Sequence, residues 1–442
     1  MKTTATSIVR SLHEAGFDAV FAGGCVRDQL LGNQPKDYDI ATNAGPEAIL
    51  SIFPNGDPVG AHFGVIMVRR NGISFEIATF REDGVYRDGR RPDEVRFSDI
   101  QTDALRRDFT INGMFQNPET GEVIDLVRGK ADLKARLIRA IGDPAQRFRE
   151  DCLRILRAIR FATKLEFEIE RKTWKAVCDS APGIKQISAE RIRHELDQIW
   201  LSSKRVRGFD LLLASGLMSE LIPEILDLQG CKQPPQWHPE GDVFVHTRMM
   251  LEMLESDASL PLVLSVLFHD IGKPACYSYD PVEDRIRFNK HDKIGSQMTR
   301  RILRRLKYPN AVIEAAVTGV AHHMKFADVQ KMRVSKLKRF MARETFEDEM
   351  ELHRVDCASS HGKLDNYHFL RDKQSEFENE PLIPPRLLTG KDLLERGWKA
   401  GPKLGEILNR AQDLQLEGKL TTREEALRWL DGHQTAPADG PN

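Results

Sequence analysis

At 442 residues the chain is long for one hydrophobic core, and roughly 150 residues per domain gives about three domains. Hydrophobic content of 40% and charged content of 30% fit a folded chain and exclude a disordered one, and no apolar run approaches the roughly 20 residues that span a membrane. The N-terminal stretch has no secretory-signal pattern, and six scattered cysteines without a CxxC pair exclude a zinc ribbon or disulfide framework and fit a reducing cytoplasm.

Residues 1–16 and 45–53 read as helices. Short apolar runs at 18–22, 63–68 and 73–78 read as strands, with Arg70-Asn71-Gly72 as a hairpin turn. From about residue 143 the pattern turns helical almost without break, starting at Asp143-Pro144, an N-cap followed by Pro at the first helical position. A short hairpin near Arg285 to Phe288 is the one later strand signal. Pro-rich stretches at 233–239 and 381–385 mark loops, and the chain frays from about His433. The net charge is only -1, yet cations cluster at 130–172, at Lys204, Arg205 and Arg207, and from Arg300 to Lys307. Such stripes fit either local polyanion binding or solvated helix faces.

Phosphoryl transfer from a nucleoside triphosphate needs carboxylates that clamp metal ions and backbone N–H groups that cradle phosphates. Asp37-Tyr38-Asp39 offers two carboxylates at i and i+2, which share a face if the segment is a strand. Gly23-Gly24 sits between a strand and a helix expected over Val26 to Leu31. Taken in order, Gly23-Gly24-Cys25-Val26-Arg27-Asp28, Leu30-Leu31-Gly32 and Asp37-Tyr38-Asp39-Ile40-Ala41-Thr42 resemble the first motif of the polymerase-β-like nucleotidyltransferases. The closer likeness is to the class II tRNA nucleotidyltransferase and bacterial poly(A) polymerase family.

Further segments follow in that family's order. Thr79 to Arg81 and Tyr86 to Pro92 resemble its mobile loop. Arg106 to Met114 is similar to the motif that positions ribose and triphosphate, and Asp125 to Leu133 to its hinge-like motif. Ile187 to Ile192 is similar to its last neck motif. The resemblance implies that Asp37 and Asp39 hold Mg²⁺ and are catalytic, and that Gly24, Arg27 and Arg107 bind nucleotide.

The segment Glu150-Asp151-Cys152-Leu153-Arg154 to Arg160 resembles the family's nucleobase-selecting helix. A carboxylate accepts from the exocyclic amine of cytosine or adenine, and a guanidinium donates to their ring acceptors. Uracil and guanine put a carbonyl where the amine would be. An Asp–Arg pair therefore selects C and A, each charge-assisted bond supplying roughly 1–3 kcal/mol. On a continuous helix Asp151 and Arg154 are about 60° apart and share a face, which assigns them to base selection. Arg157 and Arg160 lie further round and are expected to meet triphosphate, backbone or acidic neighbours. The bland alternative is an ordinary helix with Glu150–Arg154 as an i,i+4 pair.

His246, His269-Asp270 and Asp356 resemble the H…HD…D ligand order of HD metal-dependent phosphohydrolases. Imidazole with carboxylate suits a divalent transition metal such as Ni, Mn or Co. His291, with His322 or His323, completes a second metal position.

The sequence is thus expected to form an α+β polymerase-β-like nucleotidyltransferase head followed by an all-α neck, body and tail that includes an HD domain. The expected boundaries are 1–142 for the head, 143–232 for the neck, 233–365 for the HD domain and 366–442 for the tail. Val59-Gly60-Ala61-His62-Phe63-Gly64-Val65 resembles the tRNA enzymes of the group. Its poly(A) polymerases typically carry two basic residues before the Phe and lack the Gly. What the resemblance implies is addition of CCA to tRNA from CTP and ATP. A-only addition, poly(A) synthesis, or an HD phosphohydrolase with a degenerate polymerase half are the alternatives.

Overall fold

The computed structural model describes residues 1–83 and 95–433, which fall into two compact units. One unit comprises Met1–Leu226 with Glu255–Asp257 and Arg304–Tyr308, and the other holds the rest of the described chain.

The first unit begins with α1 (Lys2–Glu14), whose buried residues Ala5, Ile8, Val9 and Leu12 follow helical spacing. The strands are β1 (Ala19–Ala22), β2 (Asp39–Thr42), β3 (Val65–Arg70), β4 (Ile73–Thr79), β5 (Arg81–Asp83), β6 (Val95–Phe97), β7 (Met114–Gln116) and β8 (Val123–Asp125). Six of them form one sheet in the order β3-β4-β2-β1-β7-β8, and β5 pairs with β6. Only β2 and β4 pair in parallel; every other neighbour in the large sheet is antiparallel. The β3–β4 turn is the expected one, with φ of 53° at Asn71 and 77° at Gly72, as a primed hairpin turn requires. Phe21, Ile40, Ile66, Phe75, Ile77 and Phe115 are buried along the sheet. The connections include α2 (Gly24–Leu30), α3 (Pro46–Ile52), α4 (Ile100–Leu105) and α5 (Gly129–Ala135). The helix expected over 26–31 therefore begins at Gly24, so Gly23-Gly24 leads directly into it.

Helices then take over. They are α6 (Pro144–Glu150), α7 (Leu153–Leu165), α8 (Arg171–Ser180), α9 (Ala189–Trp200), α10 (Arg205–Ala214) and α11 (Leu217–Leu221). A short parallel pair, β9 (Leu137–Ile138) and β10 (Glu168–Ile169), ties the sequence before α6 to that after α7. Asp143 caps α6 as expected, accepting from Gln146 N at 3.1 Å.

The second unit is helical apart from the hairpin β11 (Tyr277–Asp280) and β12 (Arg285–Phe288). Its main helices are α12 (Val243–Met253), α13 (Leu260–Phe268), α14 (Lys273–Cys276), α15 (His291–Arg305), α16 (Asn310–His322), α17 (Val334–Met341) and α18 (Phe346–Ser359). After these come α19 (Asp365–Glu376), α20 (Gly390–Glu395), α21 (Pro402–Leu416) and α22 (Arg423–Asp431). Every residue of α13 from Leu262 to Phe268 is buried, so His269-Asp270 emerges from the middle of the bundle. No described helix is long and apolar enough to cross a membrane.

Candidate active site and metal centre

In the first unit a cleft of about 1120 Å³ opens beside the sheet. Gly24, Arg27, Asp37, Asp39, Arg107, Asp151, Arg154, Arg157 and Arg160 all line it. The sequence motifs, spread over more than 130 residues, converge on one surface.

The two aspartates do not share a strand. β2 starts at Asp39, and Asp37 lies in the segment leading into it, so the pleat argument fails and the loop brings them together instead. The open edge of Asp39 faces the cleft, while protein atoms crowd the rest of it. That loss of water, and then the charges of Asp37 and Glu76, push its carboxyl up to about 6, with Arg107 pulling the other way. Among the described residues neither aspartate has a salt-bridge partner. Two mutually repelling carboxylates with no ion pair of their own are a donor set that fits a divalent metal.

Around them the cations are held in place. Gly23 has φ of 71°, and a Cβ there would sit 3.0 Å from Arg107 Nη1. Only glycine meets both demands, and its neighbour Gly24 brings bare backbone to the cleft. Arg27 donates to Asn112 Oδ1 at 2.6 Å and to Asp28 Oδ1 at 2.8 Å. Arg107 is clamped by Asp103 at 2.9 Å and lies 4.8 Å over the Phe115 ring. Burial pulls the Asp103 carboxyl up, but Arg107 and Arg106 outweigh it and keep the group ionised.

The base-selecting segment is not one helix. α6 ends at Glu150, Asp151 is extended with φ -143° and ψ 103°, and α7 starts at Leu153. The Asp151 carboxylate accepts from Leu153 N at 3.1 Å, a local bond that competes with helix continuation. Asp151 and Arg154 still line the same cleft, but from a joint and a helix. Each is engaged: Asp151 with Arg191 at 2.7 Å, and Arg154 with Glu150 at 2.8 Å. Arg154 also donates to Arg147 O at 2.8 Å. The i,i+4 pair given above as the bland alternative is therefore present, and coexists with a place in the cleft. Arg157 and Arg160 meet acidic neighbours, Asp108 and Glu195, each at 2.6 Å.

The second unit gathers a histidine–carboxylate cluster beside a cavity of about 420 Å³. His246, His269 and Asp356 offer ligand atoms within 4.8 Å of one another, and so do Asp270, His291 and His323. His322 is excluded from the second set because its ring meets Glu349 at 3.2 Å. Nδ1 of His269, His291 and His323 lies 2.8, 2.8 and 2.7 Å from the carbonyls of Val266, Phe288 and Val320. A carbonyl only accepts, so each Nδ1 carries a proton, which in the neutral ring leaves the lone pair on Nε2, the arrangement that metal-ligating histidines use. The Nε2 atoms of His291 and His323 face each other at 3.1 Å, and Asp270 Oδ1 is buried without a hydrogen-bond partner. Lone pairs turned on one another beside an orphaned carboxylate oxygen fit a bound cation.

His246 touches carboxylates on both sides, Asp356 at 3.1 Å and Glu240 at 2.7 Å. Burial opposes its charge, but those bonds prevail and raise it to about 9. His323, buried without such bonds and near His269 and His291, falls to about 4.

Family models match three stretches. A poly A polymerase head domain covers residues 19–139, an RNA- and SrmB-binding site of polymerase A covers 166–228, and a tRNA nucleotidyltransferase domain 2 covers 291–430. The CCA-adding enzyme of Limosilactobacillus reuteri (strain DSM 20016) is 40% identical over 254 residues, 56% of this chain and 62% of that protein. In structure, the Bacillus stearothermophilus CCA-adding enzyme in complex with CTP matches with a TM-score of 0.73 at 26% identity, over 97% of this chain and 96% of that one. The CCA-adding enzyme of Lactobacillus helveticus (strain DPC 4571) is 32% identical over 427 residues, 96% of this chain and 95% of its own length. The chain belongs to the CCA-adding enzyme family. It is a nucleotidyltransferase with a polymerase head and a helical body, and a divalent metal accompanies that chemistry.

For a CCA-adding enzyme the motifs carried most of the cleft, but not its supports. Glu195, which holds Arg160, sits three residues beyond the neck motif and has no local signature. His238 stands in, and Glu240 directly after, a Pro-rich stretch that reads as a loop, yet Glu240 bonds to both His238 and His246. A His-Pro-Glu triplet six residues ahead of His246 was the available signal. Tyr86 to Pro92 of the mobile-loop motif lie outside the described residues, as does the chain beyond His433.

Proposed function

We propose that this protein adds C and A to the 3′ end of tRNA from CTP and ATP, without a nucleic-acid template and with release of pyrophosphate. The observation that carries the proposal is the convergence of all nine motif residues on one cleft. Asp37 and Asp39 would hold Mg²⁺, which when bound supplies charge neutralisation at the phosphates and lowers the pKa of the attacking hydroxyl. The backbone at Gly23-Gly24 and the guanidiniums of Arg27, Arg107, Arg157 and Arg160 seat the triphosphate. The RNA 3′-oxygen bonds to the α-phosphorus as the bond to the pyrophosphate oxygen breaks. Asp151 and Arg154 read the base edge, and to do so they exchange Arg191 and Glu150 for the nucleotide.

The segments 1–142, 143–232, 233–365 and 366–442 then serve as nucleotidyltransferase head, selecting neck, HD domain and RNA-holding tail. The tRNA is held by its shape and phosphates. Six free cysteines fit work in the cytoplasm.

The test offers tRNA lacking CCA, tRNA ending in CC, and a generic RNA to the protein with labelled CTP or ATP. Ordered C, C, A labelling of the first is expected, abolished by Asp39→Asn. No incorporation into any RNA would overturn the proposal. Labelling of CC-ended tRNA alone by ATP assigns A-only addition, and long A tracts on generic RNA assign poly(A) synthesis.

A second activity is favoured by the histidine–carboxylate cluster. It would be an HD phosphohydrolase using Ni²⁺, Mn²⁺ or Co²⁺ at His246, His269, Asp270 and Asp356, with His291 and His323 completing a second position. Hydrolysis of a 2′,3′-cyclic nucleotide with Mn²⁺ or Ni²⁺, lost in Asp270→Ala, is the expected result. Equal rates in the two proteins would remove the site from catalysis.

A further inference from the structure

Phe161 is not itself a residue that phosphate chemistry calls for. It is nearly buried, 5% exposed, and lines the cleft. Three guanidiniums converge on its ring: Arg160 at 4.1 Å from the centroid, Arg27 at 5.3 Å and Arg157 at 5.4 Å. They come from different places. Arg27 belongs to α2, directly after Gly23-Gly24, whereas Arg157 and Arg160 belong to α7 like the ring itself. Each is also tied by an acid, Asp28 at 2.7 Å, Asp108 at 2.6 Å and Glu195 at 2.6 Å.

Three like charges around one point repel one another. Their acids neutralise each from one side only. The π face adds negative potential at the centre of the group, which an aliphatic side chain of similar volume does not. An edge-to-face contact with Phe109, centroids 5.8 Å apart, packs against the ring. We propose that Phe161 is the positioning residue of the triphosphate seat. It holds Arg27, Arg157 and Arg160 at one spacing, so that it governs the binding of CTP and ATP alike and takes no part in reading the base.

This rests on the nucleotidyltransferase reading, and the measurements separate the two. The full-length protein is assayed with tRNA lacking CCA, and pyrophosphate binding is followed in parallel by calorimetry, which needs no turnover. Phe161→Leu keeps apolar volume and removes the π face. The KM for CTP and for ATP should rise by the same factor, about 5- to 30-fold. Pyrophosphate affinity should fall in step, while the KM for tRNA and the preference for CTP over UTP stay fixed. Phe161→Tyr should restore wild-type values, which a purely space-filling role does not predict. Phe161→Met serves if the leucine variant does not fold. Unchanged nucleotide KM and pyrophosphate affinity would overturn the proposal, as would a tRNA KM that rises equally or a tyrosine variant as impaired as leucine. A wild type that binds pyrophosphate but incorporates nothing sinks the transferase reading, while the calorimetry still decides the role of Phe161.

Discussion

Replacing Asp108 with Asn tests whether the ion pairs behind the cleft are structural supports. The carboxylate is almost buried, its side chain 9% exposed, and Arg157 reaches it at 2.6 Å. It also accepts from Phe109 N at 2.7 Å and Asn112 Nδ2 at 3.3 Å. Burial alone would raise this carboxyl, but the Arg157 charge and these hydrogen bonds prevail and hold it at about 2 against an ordinary 3.8. At about 1.4 kcal/mol per pH unit that preference for the charged form is worth on the order of 2 kcal/mol. Breaking a buried pair can cost about 3–5 kcal/mol when the surviving charge is stranded. Here Glu195 lies 3.9 Å from Arg157 and shares its charge, so the lower figure is expected.

For a unit of this size that loss corresponds to a fall in Tm of about 5–10 °C at pH 7. A carboxyl whose pKa folding depresses adds its full stability above the unfolded value, here near 4. It gives that stability up as the pH drops through about 2. Thermal unfolding of wild type and Asp108→Asn from pH 7 to pH 2 should therefore show two curves that meet at the acid end. Equal Tm at pH 7, or a gap that persists unchanged at pH 2, would refute the assignment.

Three other outcomes follow from the geometry. Asp151→Asn should raise UTP incorporation relative to CTP by about 5- to 150-fold, and Arg191→Ala should do so more weakly because it frees rather than changes the carboxylate, both read in competition assays. His269→Ala and His323→Ala should each remove one of two bound transition-metal ions per chain, by elemental analysis after Mn²⁺ loading, and leave CTP incorporation intact; a single variant emptying neither position would count against the paired site. Gly129→Ala should cost about 1–3 kcal/mol in urea unfolding, since its Cβ would lie 2.3 Å from Thr110 O and 2.6 Å from Met114 Cγ.

The sequence made the chemistry legible because that chemistry demands rare residue types in a fixed order. Asp37, Asp39, Arg27 and Arg107 could be named from motifs alone, and the β3–β4 turn from Asn71-Gly72. What it concealed was geometry set by local competition. The apolar rhythm of Phe148, Leu153, Leu156 and Ile159 slips by only one residue across the end of α6, a step of five in place of four, too small a signal to place a break at Asp151. At the break one side-chain-to-backbone bond, Leu153 N to the Asp151 carboxylate, competes with the helical ladder. Partners from distant segments were equally hidden: Glu195 for Arg160, Arg191 for Asp151, and the choice of His323 over its neighbour His322. Each depends on how helices pack, which adjacent letters do not encode.

The joint between α6 and α7 has a consequence for how such a pocket can change over time. Were both groups proposed to read the base carried on one rod, their separation would follow from helix pitch, and altering it would mean repacking the buried residues of α7. Here Asp151 sits at the joint itself, tethered by Arg191 from the wall of the same cleft. A substitution at that tether shifts one jaw of the caliper while Ile155, Leu156 and Ile159 keep their places in the interior. On the proposed reading, nucleotide preference in this architecture is thus adjustable at low structural cost, from a residue that need never touch a base.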